Sequence, residues 1–394
     1  MNSIKFVLFS LTILICSSCS KETKGKYIVV KNSLPIERSF ETVEILKSDL
    51  NLNDGEVFEN LVVRDVDTQA IVISQFVDQD GDGAMDVLLF QPEVKSKSEK
   101  KYELTEGDAS VKLDTTSYCY SRFVPERTDD YTWENNKVGF RTYGPTAQKM
   151  IEDSIPGGTL SSGIDAWLKK VEYPIINKWY AKNVIKAGAY HIDSGEGLDN
   201  FHVGASRGVG GTAVKKNDYY YTSRNFTNWK TITTGPIRTS FVLDYADWDA
   251  DGQMISEKKH ISLDYGNNLS RFEIDTKGTD ILSVGLTLHE KDGEITENVK
   301  EGWVSYWEPH ETSELGTAIV TTNGVMTDSE YYITPLQDRS NLYAHLKVTN
   351  NKVVYYAGFA WKESGQYPTK ASWENYLKEF SLKINNPLEV VFSK

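Results

Sequence analysis

The sequence predicts an all-β protein: a large sandwich of two antiparallel sheets over residues 118–394, preceded by a small β-sandwich over residues 27–117, with few helices. Three observations carry that reading. Between Tyr27 and Val94, short segments such as KYIVVKN, FETVEI, AIVISQFV and MDVLLFQ alternate apolar and polar residues between polar turns. From Tyr118 onward the segments lengthen, as in DYYYTSRNFTNWKTITTG, PIRTSFVLDYADW and DILSVGLTLHE, the pattern expected of two large stacked sheets. Only two stretches keep helical spacing. One is GIDAWLKKVEYPIINKWYA, interrupted at Pro174; the other is TKASWENYLKEFSLKI, where Trp373, Tyr376, Leu377 and Phe380 share one face of a C-terminal helix expected to pack on the sandwich.

The N-terminus sets the compartment. Lys5 precedes an apolar run from Phe6 to Ile15 that is too short to span a membrane, and small residues lead on to Cys19. Residues 1–18 therefore read as a secretory signal peptide. Cys19, between Ser18 and Ser20, resembles the lipidation cysteine of bacterial lipoproteins, and residues 19–26 then form a tether. The Lys21-Glu22 pair resembles the surface-export signal of Bacteroidota lipoproteins. The expectation is an exported protein that meets the membrane only through its lipid anchor.

Loss of Lys5 with the signal changes the formal net charge from −13 to −14. A uniformly acidic surface repels polyanions, which argues against nucleic acid as a partner and requires a local basic pocket for any anionic ligand. Within the mature domain Cys119 is the one cysteine, so no intramolecular disulfide is expected. The 22 Tyr and 9 Trp suit either stacking on sugar rings or an aromatic-rich β core.

Within the small sandwich, DQDGDGAMD places Asp78, Asp80, Asp82 and Asp86 around two glycines. A calcium loop uses such spacing, but the bidentate Glu that closes a twelve-residue loop is missing, and a tight hairpin turn needs the same residues. The turn is the preferred reading, with calcium as the alternative.

No Walker loop, helical His pair or nucleophile elbow is present, and GVGG at Gly208–Gly211 opens no expected helix. What remains are polar strand faces and one loop. Read as a single strand, YTWENNKVGFRTYGP puts Val138 and Phe140 on a core face and Trp133, Asn135, Arg141 and Tyr143 on the other. Later strands add Arg238, Ser240 and Asp244, then His260, Ser262 and Asp264; singly, each reads as a solvated face with a cross-strand ion pair. The glycine-rich loop from Gly188 to Gly211 holds His191, His202 and Arg207. Long loops on rigid β scaffolds are where chemistry concentrates, and His191 is the candidate for proton transfer.

The blocks ERTDDYTWENNKVGFRTYGP, GIDAWLKKVEYPIINKWY, YHIDSGEGLDNFHVGASRGVGG, WKTITTGPIRTSFVLDYADW and VVYYAGFAW, in order between about Arg127 and Phe380, resemble a bacterial family long catalogued as a domain of unknown function, with a described ulvan-oligosaccharide dehydratase activity. The resemblance implies a galactose-mutarotase type of sandwich. It also implies removal of water from the glucuronic or iduronic acid at the non-reducing end of a sulfated oligosaccharide, leaving a 4,5-unsaturated uronic residue. An anionic oligosaccharide is then the partner.

That chemistry needs a group that neutralises the sugar carboxylate, a base for H5 and an acid for the departing O4. The candidates are Arg141 or Arg238 as carboxylate clamp, and His191 and Tyr143 as acid and base in unassigned order. Trp133 is the stacking platform, with Glu134 and Asn135 binding hydroxyls or orienting the arginine. Arg207 is held in reserve for sulfate or carboxylate, and His260, His310 and His345 for proton transfer. Nothing in the sequence requires a metal. A polysaccharide lyase uses the same groups, a hydrolase needs two carboxylates such as Glu134 and Asp199, and a glycan-binding lipoprotein needs only the aromatic and arginine faces.

Overall fold

The computed structural model describes residues 26–50, 52, 55–107 and 116–393. Cys19, the signal peptide and all but Lys26 of the tether lie outside the described residues.

The chain is mostly β, as expected. A nine-stranded antiparallel sheet forms one layer of the large sandwich, with Arg238–Tyr245, Met254–Asp264, Leu269–Lys277, Lys352–Trp361 and Ser313–Val320 at its centre. The strand Arg238–Tyr245 alternates strictly: Thr239, Phe241, Leu243 and Tyr245 point into the core, and Arg238, Ser240, Val242 and Asp244 away from it. Two five-stranded sheets make the other layer. One runs through Tyr120–Val124, Asp130–Glu134, Gly139–Thr142, Asp165–Lys169 and Gly197–Leu198; the other is built on Val209–Lys216, Ile281–Thr287 and Asn341–Lys347. A single core joins all three sheets, taking Trp133 and Phe140 from the first five-stranded sheet, Phe241, Ile261 and Phe272 from the nine-stranded one, and Val284 and Leu342 from the second. Each such side chain contributes roughly 1.5–3 kcal/mol by leaving water.

The two five-stranded sheets are joined by a parallel bridge between Ile164 and Gly208. Gly208 has φ +61°, and a Cβ there would lie 1.8 Å from the Ile164 carbonyl oxygen, so only glycine allows the approach. This is what the glycine-rich GVGG stretch does in the fold.

In the small sandwich a sheet holding Lys26–Lys31, Glu99–Glu106 and Leu61–Asp65 packs on Val43–Leu46, Val87–Phe90 and Ser74–Val77 through Ile28, Val30, Ile45, Leu88 and Phe90. The strand Glu389–Ser393, assigned to the large sandwich by the sequence reading, pairs with Lys26–Lys31 and completes the small one. The Asp78 loop joins the paired strands Ser74–Val77 and Val87–Phe90. Asp78 accepts from the Gly81 and Gly83 N–H groups, Asp80 from that of Asp82, Asp82 from that of Ala84 and Asp86 from that of Gln79. The side chains of Asp78, Asp80 and Asp86 still converge, while Asp82 does not join them.

Among the described residues there are three α-helices: α1 (Pro145–Glu152), α2 (Ile176–Ile185) and α3 (Lys370–Asn385). Helix α3 forms where expected, capped reciprocally by Thr369 and Ser372, and buries Trp373 and Leu377 against Trp303 and Trp307. The stretch expected to start a helix at Gly163 instead contributes the strand Asp165–Lys169, all five residues of it buried. Trp167 packs on Trp179 and Tyr190 of one cluster and Leu168 enters the main core, so both faces are covered and the period-two signal disappears. Helix α1 went unanticipated because its eight residues bury only Ala147.

Candidate active site

The segment YTWENNKVGFRTYGP, Tyr131 to Pro145, is part of a hairpin and not one strand. Asp130–Glu134 and Gly139–Thr142 pair antiparallel, with Trp133 opposite Phe140 and Arg141 opposite Thr132. Residues directly opposite share a face, so Trp133 joins Phe140 in the core while Glu134, Thr132 and Asp130 join Arg141. The Trp133 ring is fully buried, stacks on Phe140 at 5.3 Å and donates from Nε1 to Ser270 Oγ at 2.9 Å. It is a core residue and not a sugar platform.

Glu134 and Asn135 are structural too. Glu134 is fully buried, pairs with Lys169 Nζ at 2.7 Å and accepts from the backbone N–H groups of Ile175 and Ile176, which fixes the start of α2. This removes it from the carboxylate pair that a hydrolase would need. Asn135 shapes the hairpin turn, accepting from the N–H groups of Lys137 and Val138 and donating to the carbonyls of Asp264 and Asn267.

Arg141, Tyr143 and His191 come together. They line a cleft of about 500 Å³ with α1's Ile151, the Gly158–Leu160 segment and the Asp199–Gly204 loop. Arg141 is buried and already paired: Nε donates to Asp165 Oδ2 at 2.9 Å, Nη2 to Asp199 Oδ2 at 2.9 Å, and Nη1 lies 3.8 Å from Asp130 Oδ2. Its guanidinium also lies over the Tyr143 ring, 5.5 Å from the centroid. Burial drives the Asp165 carboxyl well above the usual range, helped by the neighbouring Asp199 charge and opposed by Arg141. Burial likewise raises Asp130 to about 6 against the pull of Arg141 and Arg127. The clamp expected of Arg141 is thus occupied from within, and the arginine organises the cleft floor.

Tyr143 is 8% exposed, and burial followed by the Asp165 charge holds its phenol well above its usual pKa, so it stays a proton donor. His191 ends a 3₁₀ turn after α2, entered through Gly188 at φ +78°. Its Nδ1 donates to the Asp199 carbonyl oxygen, which assigns the neutral ring's lone pair to Nε2. The ring is about half exposed. His202 lines the same cleft, 3.0 Å from Asp338.

The remaining candidates lie elsewhere. Arg238 forms a two-pronged pair with Asp264, at 2.6 and 2.8 Å, and reaches Glu44 of the small sandwich. It borders a larger groove of about 970 Å³ between the two sandwiches and α3, not the His191 cleft. Its geometry is the cross-strand ion pair expected of a polar residue on the non-core face of a strand. Arg207 is buried and donates to Ser162 Oγ and the carbonyls of Thr212 and Ala205, outside the cleft lining. His260 pairs with Asp275 on the outer face, and His345 is held by Ser283. Sequence reasoning missed Asp130 and Asp165, whose partners are fixed only by tertiary contact.

The molecule is thus an all-β protein with a two-layer sandwich whose cleft combines an oriented histidine, a protonated tyrosine and a buried arginine–carboxylate cluster. It belongs to the family described as Domain of unknown function (DUF4861), matched over residues 30–390. Uncharacterized protein P7 of Formosa agariphila is 67% identical over 392 residues, 99% of each chain. Among solved structures, a protein in the glycosyl hydrolase family 38 from Enterococcus faecalis superposes with a TM-score of 0.51 at 10% identity, covering 94% of this chain. The chain spans 48% of that protein, about half its length, and the likeness concerns the fold alone.

Proposed function

We propose that the protein is a dehydratase that removes water by 4,5 β-elimination from the non-reducing-end glucuronic or iduronic acid of an ulvan-type sulfated oligosaccharide. The observation that carries this reading is the convergence of Arg141 and Tyr143, from one strand end, with His191, from a distant loop, on one cleft. The resemblance of the residue blocks between about Arg127 and Phe380 to the ulvan-oligosaccharide dehydratase family supports the substrate class.

In this mechanism His191 Nε2 takes H5, and the C5–H electron pair forms the C4=C5 bond as C4–O4 breaks. The Tyr143 hydroxyl gives O4 its proton, so that water leaves. Two features of the site support this order: the half-exposed imidazole has its Nε2 lone pair free to act as base, and the phenol held protonated has a proton to give. Charge developing on the sugar carboxylate faces Arg141, the only guanidinium among the described cleft-lining residues. In the same reading the chain is exported and carries acyl chains on Cys19.

The test incubates the chain lacking residues 1–18 with a saturated glucuronyl-rhamnose-3-sulfate oligosaccharide and follows ultraviolet absorbance and product mass. New enol-ether absorbance with loss of one water and unchanged chain length is expected. Absorbance with chain shortening makes the protein a lyase, and shortening without absorbance a hydrolase. Binding without either change makes it a glycan-binding protein.

A further inference from the structure

Beneath the cleft loop lies a second cluster of functional side chains. Glu308 and His310 stand two residues apart on the strand Trp303–His310 and so share a face. His289 follows the strand Ile281–Thr287 of the opposing layer. One ligand atom from each of the three lies within 4.8 Å of the other two. Glu308 is 1% exposed and His310 9%.

The hydrogen bonding of this cluster is incomplete in a particular way. His289 Nε2 donates to the His202 carbonyl at 3.0 Å, so the neutral ring presents a lone pair at Nδ1. That lone pair faces Glu308 Oε1 at 2.5 Å, acceptor against acceptor. A proton bridges those two atoms, but it does nothing for Glu308 Oε2 or His310 Nε2, which are buried without a hydrogen-bond partner. A cation at the centre satisfies all three residues at once. The His202 carbonyl then acts as the outer partner that a metal-bound histidine needs to fix its tautomer.

We infer that His289, Glu308 and His310 form a binding site for a divalent transition-metal ion of the zinc class. Two imidazoles and one carboxylate, with no thiolate, are a donor set that zinc accepts with a fourth position left over. Bond lengths of about 2.0–2.2 Å require the three groups to draw together slightly from their present spacing. The ion ties the nine-stranded sheet to the opposing layer. It also fixes the base of the Asp199–Gly204 loop, because Phe201 packs edge-on against the His289 ring at 4.6 Å.

The experiment strips the full mature chain with a chelator, titrates it with zinc chloride alone, and measures bound metal by mass spectrometry and the shift in thermal midpoint. The expected result is one equivalent of zinc and a raised midpoint. Binding weakens at least about 100-fold in His310→Ala and Glu308→Gln and is unchanged in Asp78→Asn, which alters only the acidic turn. No zinc bound by the wild-type chain, or equal binding in His310→Ala, overturns the site. If those variants fail to fold, cobalt(II) added to the wild-type chain decides: intense visible bands of a four- or five-coordinate imidazole-bound ion support the site. The weak spectrum of the six-coordinate aqueous ion overturns it.

Discussion

The carbonyl oxygen of Asp199 receives the Nδ1 proton of His191, while the carboxylate of the same Asp199 receives the Nη2 proton of Arg141 at 2.9 Å. One residue thus couples the orientation of the exposed imidazole to the buried guanidinium, with its backbone serving one side and its side chain the other.

His191→Gln and Tyr143→Phe are expected to leave the fold intact and lower turnover by about 10²–10⁴-fold each, the usual weight of a positioned acid or base. Circular dichroism checks the fold, and the rate of ultraviolet-absorbing product formation checks the chemistry. Full activity in both variants moves the reaction out of this cleft.

Arg141→Met leaves the Asp199 and Asp165 side chains buried without their cation. Breaking a buried pair from one side costs about 3–5 kcal/mol, and denaturant unfolding measures it. A loss below about 1 kcal/mol contradicts the paired geometry, since that is the range of exposed ion pairs.

Asp130 gives the cluster a pH signature. Its folded-state pKa of about 6 lies above the ordinary 3.8, so the folded protein holds this proton more tightly than the unfolded chain. Its contribution to stability is therefore fully present below about pH 4 and is lost as pH rises through 6, by up to about 3 kcal/mol. Asp130→Asn removes the titration, and the difference in unfolding free energy between variant and wild type at pH 4 and pH 7 reads its size. A difference that does not change with pH contradicts the assignment.

Trp133→Ala is expected to cost about 3–5 kcal/mol, as large-to-small changes in packed cores do. Trp133→Phe keeps most of the packing and is expected to leave the KM for oligosaccharide unchanged. A raised KM with unchanged stability returns Trp133 to the sugar-binding role.

The strands Arg238–Tyr245, Met254–Asp264 and Leu269–Lys277 were legible because one face is core and the other is not. Parity alone puts Arg238 and Asp264 on the non-core faces of their strands, and the register of the fold then sets them opposite each other. Trp133 was misplaced because a period of two was carried through a turn: Asn135 and Asn136 are turn residues, and crossing them to a paired strand resets which positions share a face. Arg141, Tyr143 and His191 were recognisable as residue types suited to the chemistry. That Asp165 and Asp199 fill the guanidinium's donors was not, because those contacts join positions 24 and 58 residues away without local periodicity.

The pairing of Lys31 with Glu389 joins residues 358 positions apart, and Tyr27 through Lys31 all lie in that ladder. Closing so long a loop makes this contact entropically expensive and late in assembly. The small sandwich, although encoded first, cannot complete its sheet until residue 393 has been synthesised. Until then the Lys26–Lys31 strand is an open edge able to pair with a neighbouring chain. A chain cut short before Glu389 keeps that edge permanently, so the earliest part of the protein serves as a gauge of whether the rest has arrived.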